Sequence, residues 1–145
     1  MDLMPVSSLK PQVRVVAGLF CRGQRVLVQQ RPKHKPRGLL WEFPGGKVEP
    51  GETDAEALQR ECEEELAVKV EVAGELWRTL HDYADLVVEL ILFEAKMPDN
   101  IQPEPLDAHR LAWVEVEGLG ALDFCEADRD LVTGLVTGAI PLGRV

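Results

Sequence analysis

Glu61, Glu64 and Glu65 are spaced three and four residues apart, so a helix running through them would carry three carboxylates within one arc. Like charges so placed destabilise a helix unless something offsets them. Arg60 supplies one cation, expected to lie toward Glu56, Glu63 and Glu64, and a divalent metal ion is the obvious further neutraliser. Carboxylate oxygens are hard donors, and magnesium takes a few of them together with waters and substrate phosphates. Alone, such a run reads more readily as a solvated helix face. Its context favours chemistry: Pro44-Gly45-Gly46-Lys47 and a second turn at Pro50-Gly51 precede it, bringing loop backbone and helix face together.

The elements that must position these residues follow from periodicity. Ala55, Leu58, Cys62 and Leu66 recur at helical spacing over Asp54 to Leu66, and Thr53 with Glu56 forms a capping box at the start. Val13 to Phe20 and Val26 to Gln30 read as two strands of a hairpin turning at Cys21-Arg22-Gly23-Gln24. Leu39 to Phe43 is a short extended segment expected to stop at Pro44-Gly45-Gly46. Val68 to Val72, Glu75 to His81, Leu86 to Lys96 and Leu111 to Val116 are further strands, and Met97 to Pro105, with three prolines, is a long loop. Glu126 to Val136 is a second amphipathic helix with Leu131, Val132 and Leu135 inward. The class is α+β, a mixed sheet flanked by helices, with residues 1–145 as one domain.

Composition narrows the partners. The 145 residues are 46% hydrophobic and 28% charged, ordinary for a globular chain that buries its own core. The net charge of −9 argues against broad binding to nucleic acid or anionic membrane. Arg22, Arg25, Arg31, Lys33, Lys35 and Arg37 nevertheless lie in one stretch with no acidic residue, a local cationic patch suited to a small phosphorylated ligand. Apolar runs such as Val15 to Cys21 are far shorter than the roughly 20 residues that span a bilayer. Asp2 and Pro5 stand where a secretory signal would need a basic start and an apolar run, so a cytoplasmic protein is expected. Cys21, Cys62 and Cys125 show no paired spacing and read as reduced thiols. His34, His81 and His109 lack metal-like spacing, and Trp41, Trp77 and Trp113 read as core residues.

Gly46 to Val68, GKVEPGETDAEALQRECEEELAV, resembles the Nudix box, G-x5-E-x7-R-E-U-x-E-E-x-G-U with U aliphatic. Gly46, Glu52, Arg60, Glu61, Glu64 and Glu65 match at the required spacing, whereas Cys62 replaces a larger aliphatic residue and Ala67 replaces the glycine after the helix. Leu40 to Glu49 resembles the approach to the box in the MutT-like branch, CTP pyrophosphohydrolases included. Arg31, eleven residues before Glu42, matches an arginine that helps hold nucleotide phosphates there. Glu126-Ala127-Asp128-Arg129 resembles the start of the last helix, where an Asn or Asp reads the base.

The resemblance implies a Nudix fold and magnesium-dependent hydrolysis of a nucleoside triphosphate to monophosphate and pyrophosphate, with manganese as an alternative metal. Glu61, Glu64, Glu65 and the Gly46 carbonyl would hold metal, Arg60 would orient the glutamates, and Glu52 would support the loop. The general base would be a box glutamate or an acid on a later loop, Asp107, with Glu104 nearby. Arg31 would bind phosphate, and Phe43 and Asp128 would meet the base. An ionised Asp128 only accepts hydrogen bonds and so suits cytosine N4, favouring CTP, dCTP or 5-methyl-dCTP; a buried, protonated Asp128 would readmit 8-oxo-dGTP. The alternatives are an ADP-ribose hydrolase, whose expected proline is replaced here by Tyr83-Ala84-Asp85, a dinucleoside polyphosphate hydrolase, for which Tyr83 speaks, and a noncatalytic nucleotide sensor. A monomer or homodimer is expected.

Overall fold

A computed structural model describes residues 10–142; Asp2 and Pro5 lie outside them. The strands are β1 (Gln12–Leu19), β2 (Cys21–Arg22), β3 (Arg25–Gln30), β4 (Trp41–Glu42), β5 (Gly45–Lys47), β6 (Glu71–Asp82), β7 (Val87–Lys96) and β8 (Arg110–Glu115). The helices are α1 (Asp54–Leu66) and α2 (Glu126–Thr137), with a 3-10 turn over Val116–Ala121. One sheet has the order β5-β1-β7-β6 and is mixed, because β1 runs parallel to β7 and antiparallel to β5. The second is antiparallel, with β3 paired to β2 and β4 along one edge and to β8 along the other.

Alternation along the strands sends side chains into two cores. Val16 and Leu27 meet Leu58, Cys62 and Leu66 on the α1 side, while Ala17, Val26 and Val28 meet Leu131 and Leu135 on the α2 side. Sheets between helices are therefore the α+β arrangement expected. Among the described residues no disulfide joins the cysteines, and no helix is long and apolar enough to cross a membrane.

Three local expectations are corrected. The turn at Gly23-Gln24 is real, with Gly23 at φ 61, but it joins β2 to β3 rather than β1 to β3. The chain changes sheet around the buried Phe20, and the partners of β1 are the remote β7 and β5. The sequence beyond Pro44 does not end extended structure, since Gly45–Lys47 pairs with β1. A side chain on Gly45 would collide with the Val16 carbonyl, so the glycine permits this close pairing. The strands proposed on either side of Ala73-Gly74 are one strand, β6, whose register shifts at Val72/Glu75 and Glu75/Trp77 absorb the irregularity.

Candidate active site

Helix α1 has the predicted limits because both halves of its capping box form. Glu56 N–H donates to Thr53 Oγ1 at 3.1 Å, and Thr53 N–H donates to Glu56 Oε1 at 2.9 Å. The helix ends at Ala67, which takes φ 57, the left-handed geometry for which glycine is favoured. Leu58, Cys62 and Leu66 anchor one side in the core and leave the acids on the adjoining arc.

Arg60 organises those acids differently from the expectation of Glu56 and Glu63 as its neighbours. Its guanidinium donates to Glu52 at 2.7 and 3.0 Å, to Glu61 at 3.0 Å, to Glu64 at 3.2 Å and to the Lys47 carbonyl at 3.0 Å. Glu52 also accepts Glu49 N–H at 2.9 Å, so it ties the loop to the helix. Its proton affinity is lowered chiefly by the Arg60 hydrogen bond. Glu56 is occupied by the cap.

A cleft of about 560 Å³ runs from this helix face to the start of α2. Glu61 and Glu65 line one end with Gly46, Arg31 and Glu42 line the wall, and Asp128 lines the far end. A Cβ on Gly46 would collide with the Glu61 carboxylate, so glycine lets that acid lie against the loop backbone. Glu65 Oε2 is buried without a hydrogen-bond partner. Burial and the Glu61 carboxylate both raise the proton affinity of Glu65. A buried carboxylate oxygen with no donor, next to a second acid and a glycine backbone, fits a hard cation.

Among the described residues, no three acidic, histidine or cysteine side chains enclose a metal ion unaided. Glu64 is 60% exposed and drawn onto Arg60. A cation here would be held by Glu61, Glu65 and the Gly46 carbonyl, with waters and phosphate oxygens filling the remaining positions, as magnesium favours.

The far end is assembled from distant segments. Trp41 N–H donates to the Asp123 carbonyl at 2.8 Å and Cys125 N–H to the Trp41 carbonyl at 2.9 Å, locking β4 to the start of α2. Asp128 then accepts Phe43 N–H on Oδ1 at 3.2 Å and is only 6% exposed. It is neither a helix cap nor a surface acid. Burial first, and then the Glu42 charge, push its proton affinity well above the usual aspartate range. The Phe43 side chain was expected beside the base; instead it is buried and stacks on Phe124, ring centres 5.5 Å apart. What Phe43 presents toward Asp128 is its backbone.

Arg31 donates to both Glu42 oxygens, at 3.3 and 3.2 Å, and to the Pro36 carbonyl at 2.9 Å. Asp107 lines the cleft, is 48% exposed and pairs with Lys35 at 3.0 Å. The long loop carries it there by donating Glu104 N–H to the Leu66 carbonyl and Leu106 N–H to the Glu65 carbonyl, at 2.9 and 3.0 Å. The basic stretch is not one patch. Arg22 turns away onto Trp113 and the Ile101 carbonyl, and Arg25 pairs with Glu115. Arg31, Lys35 and Arg37 reach the cleft.

Sequence reasoning missed Glu42 and Gln29 as cleft residues, while Arg37 enters the cleft from the basic stretch. Glu42 is an acid between two core aromatics, Trp41 and Phe43, and burial raises its proton affinity against the pull of Arg31. Arg37 lies 4.4 Å over the Tyr83 ring and pairs with Asp85 at 3.2 Å. Tyr83, whose hydroxyl accepts Ala127 N–H at 2.8 Å, joins that wall to α2. His34 and His109 are exposed, and His81 pairs with Glu126 at 2.9 Å. The thiols of Cys62 and Cys125 are pushed up to about 12, first by burial, and are unreactive.

The NUDIX domain family matches residues 10–135. An 8-oxo-dGTP diphosphatase of Proteus vulgaris is 38% identical over 85 residues, 58% of this chain and 76% of that protein. A CTP pyrophosphohydrolase of Escherichia coli is 45% identical over 60 residues, 41% of this chain and 44% of that protein. Among solved structures, a MutT NUDIX hydrolase from Burkholderia pseudomallei superposes with a TM-score of 0.76 at 25% identity, covering 86% of this chain and 98% of that one. The chain belongs to the Nudix family and is a Nudix hydrolase, with relatives named as diphosphatases and pyrophosphohydrolases.

Proposed function

We propose that this protein is a magnesium-dependent nucleoside triphosphate pyrophosphohydrolase that sanitises the nucleotide pool, with 8-oxo-dGTP as its first substrate and dCTP, CTP or 5-methyl-dCTP as the second. The observation that carries the reaction is the meeting of Glu61, the Gly46 backbone and the unpartnered Glu65 oxygen at one end of a nucleotide-sized cleft. A divalent cation bound there supplies charge neutralisation at phosphorus and acidifies a water. Arg60 holds Glu61 and Glu64 in place through its hydrogen bonds, an outer-shell role. Arg31 would exchange its contact with Glu42 for a substrate phosphate. A water oxygen forms the new bond to phosphorus, the bridging oxygen leaves with the departing group, and the water proton passes to Glu65 or Asp107. The products are nucleoside monophosphate and pyrophosphate.

The base preference rests on the burial of Asp128. Its raised proton affinity favours the neutral carboxyl, which offers both a donor and an acceptor. That pair suits the carbonyl and protonated ring nitrogen of oxidised guanine, whereas the ionised form would suit the cytosine amine. The name of the Proteus vulgaris relative points the same way. The test is product analysis with magnesium on 8-oxo-dGTP, dGTP, dCTP, CTP, 5-methyl-dCTP, ADP-ribose and a dinucleoside tetraphosphate. Pyrophosphate and monophosphate from the triphosphates, 8-oxo-dGTP foremost, are expected. Cleavage confined to ADP-ribose or the dinucleotide would replace this reading with one of those activities, and tight nucleotide binding without turnover would make the protein a sensor.

A further inference from the structure

Arg37, Tyr83 and Asp85 line the same cleft as Asp128, and the proposed reaction gives them no part. The Tyr83 hydroxyl accepts the N–H of Ala127, the residue before Asp128, at 2.8 Å. His81 packs on the Tyr83 ring, with ring centres 4.5 Å apart. Arg37 covers that ring as well, its guanidinium carbon 4.4 Å from the centre, and its Nη1 donates to Asp85 at 3.2 Å. The base end thus has a wall made of a guanidinium, backed by an aromatic ring and steered by a carboxylate.

Among the described residues, Asp85 is the acceptor that the Arg37 side chain meets, so most of its N–H groups remain for a ligand. Arg31, by contrast, spends its donors on Glu42 and the Pro36 carbonyl. The backbone beneath Arg37 is costly. Arg37 and Leu39 take φ 59 and 65, the left-handed region that favours glycine. Local contacts do not account for an arginine there: Asp85 is 57% exposed, and exposed ion pairs and cation–ring contacts stabilise a fold only slightly. Backbone held in such conformations clusters where ligands are clamped.

We infer that Arg37 is a specificity-determining residue that donates to a carbonyl oxygen of the nucleobase at Asp128. The inference rests on the proposed reading of this cleft as a nucleoside triphosphate site with its base toward α2. Asp128 meets one edge of the base, and Arg37 supplies a second, purely donating contact from the loop between β3 and β4. Both oxidised guanine and cytosine carry a carbonyl for it.

The test compares KM for 8-oxo-dGTP and dCTP with the inhibition constant of abasic deoxyribose 5′-triphosphate, which has the sugar and phosphates but no base. Arg37→Gly is expected to raise KM for the preferred nucleotide about tenfold with kcat nearly unchanged, the signature of a lost binding contact. Inhibition by the abasic compound should stay as in the wild type. Thermal unfolding should show Tm held or raised, because glycine suits the backbone at this position. Arg37→Lys should leave KM raised, since a point charge does not replace a planar fork laid on a ring. Unchanged KM, or weakening of the abasic compound in parallel with the nucleotides, would overturn the inference and leave the hydrolase reading intact. Recovery by lysine would also overturn it, by reducing Arg37 to a diffuse charge, and so would a fall in kcat with a lowered Tm in both variants, the mark of a loop clasp. Wild-type protein that turns over no nucleoside triphosphate would overturn that reading and this inference together.

Discussion

The two ends of the cleft are built in opposite ways. The acidic end takes Arg60, Glu61, Glu64 and Glu65 from a single helix, with Glu52 and Gly46 contributed by the loop just before it. The base end brings together Glu42 of β4, the Phe43 backbone and Asp128 of α2, the last two 85 residues apart. Local spacing governs the first, and tertiary closure governs the second. The electrostatics differ as well: Arg60 holds Glu52 in its charged form, whereas burial pushes Glu42 toward the neutral form, and burial with the Glu42 charge does the same to Asp128. A nucleotide bridging both ends would meet, at its phosphates, an arginine-braced acid cluster in which the buried Glu65 retains its proton more tightly, and at its base a desolvated, proton-retaining face.

The sharpest break in that comparison comes from the acidic end. Glu65→Gln should lower kcat for every nucleotide about a thousandfold, the loss of several kcal/mol of transition-state stabilisation that a displaced metal ligand entails. Tm should hold, because the replaced oxygen has no partner to lose. Circular dichroism with a pyrophosphate-release assay reads both. Near-normal turnover would remove the acids from the chemistry and leave a solvated helix face.

Arg31 sits between the two ends and is expected to matter less. Arg31→Ala should raise KM about tenfold with a smaller change in kcat, since a charge-assisted contact to phosphate is lost. Arg22→Ala and Lys33→Ala should leave KM nearly unchanged, because Arg22 is held on Trp113 and the Ile101 carbonyl and neither residue lines the cleft. Equal effects from all three, measured as initial rates at fixed magnesium, would mean that the basic segment acts as a diffuse field.

How much of this was legible follows from the same contrast. The limits of α1, its cap and the common face of Glu61 and Glu65 are consequences of residues within one or two turns, so spacing alone disclosed them. The resemblance singles out Asp128 as a candidate to read the base, yet its burial depends on β4 crossing the start of α2 through Trp41, which no local spacing reveals. Phe43 was misassigned for the same reason: an aromatic beside a glycine loop reads alike whether it faces ligand or core, and Phe124 settles it. The hairpin error arose because a turn fixes its two flanking residues but not the sheet that a long strand joins. Gln29 had a signal, an amide in a β-branched run, and it passed unread.

The smallest effect tests whether the acidic end is as self-contained as its sequence implies. Ala67→Gly should stabilise the fold by about 1 kcal/mol, by relieving a left-handed alanine at the helix exit. Urea titration would register the gain, and kcat/KM should not move. A drop in activity would show that the helix exit also positions Glu65 and the loop hydrogen-bonded to it through Leu106.

The division of labour between the ends is tested most directly by the ratio of kcat/KM for 8-oxo-dGTP to that for dCTP, followed against pH in three proteins. In the wild type the ratio should fall as pH rises through the raised Asp128 value, because the neutral carboxyl that donates to guanine gives way to an acceptor. Asp128→Asn should make the ratio insensitive to pH while still favouring 8-oxo-dGTP. Glu65→Gln should slow both substrates alike and leave the ratio and its pH dependence as in the wild type. A ratio that moves with Glu65→Gln, or one that is independent of pH in the wild type and unaltered by Asp128→Asn, would contradict the account.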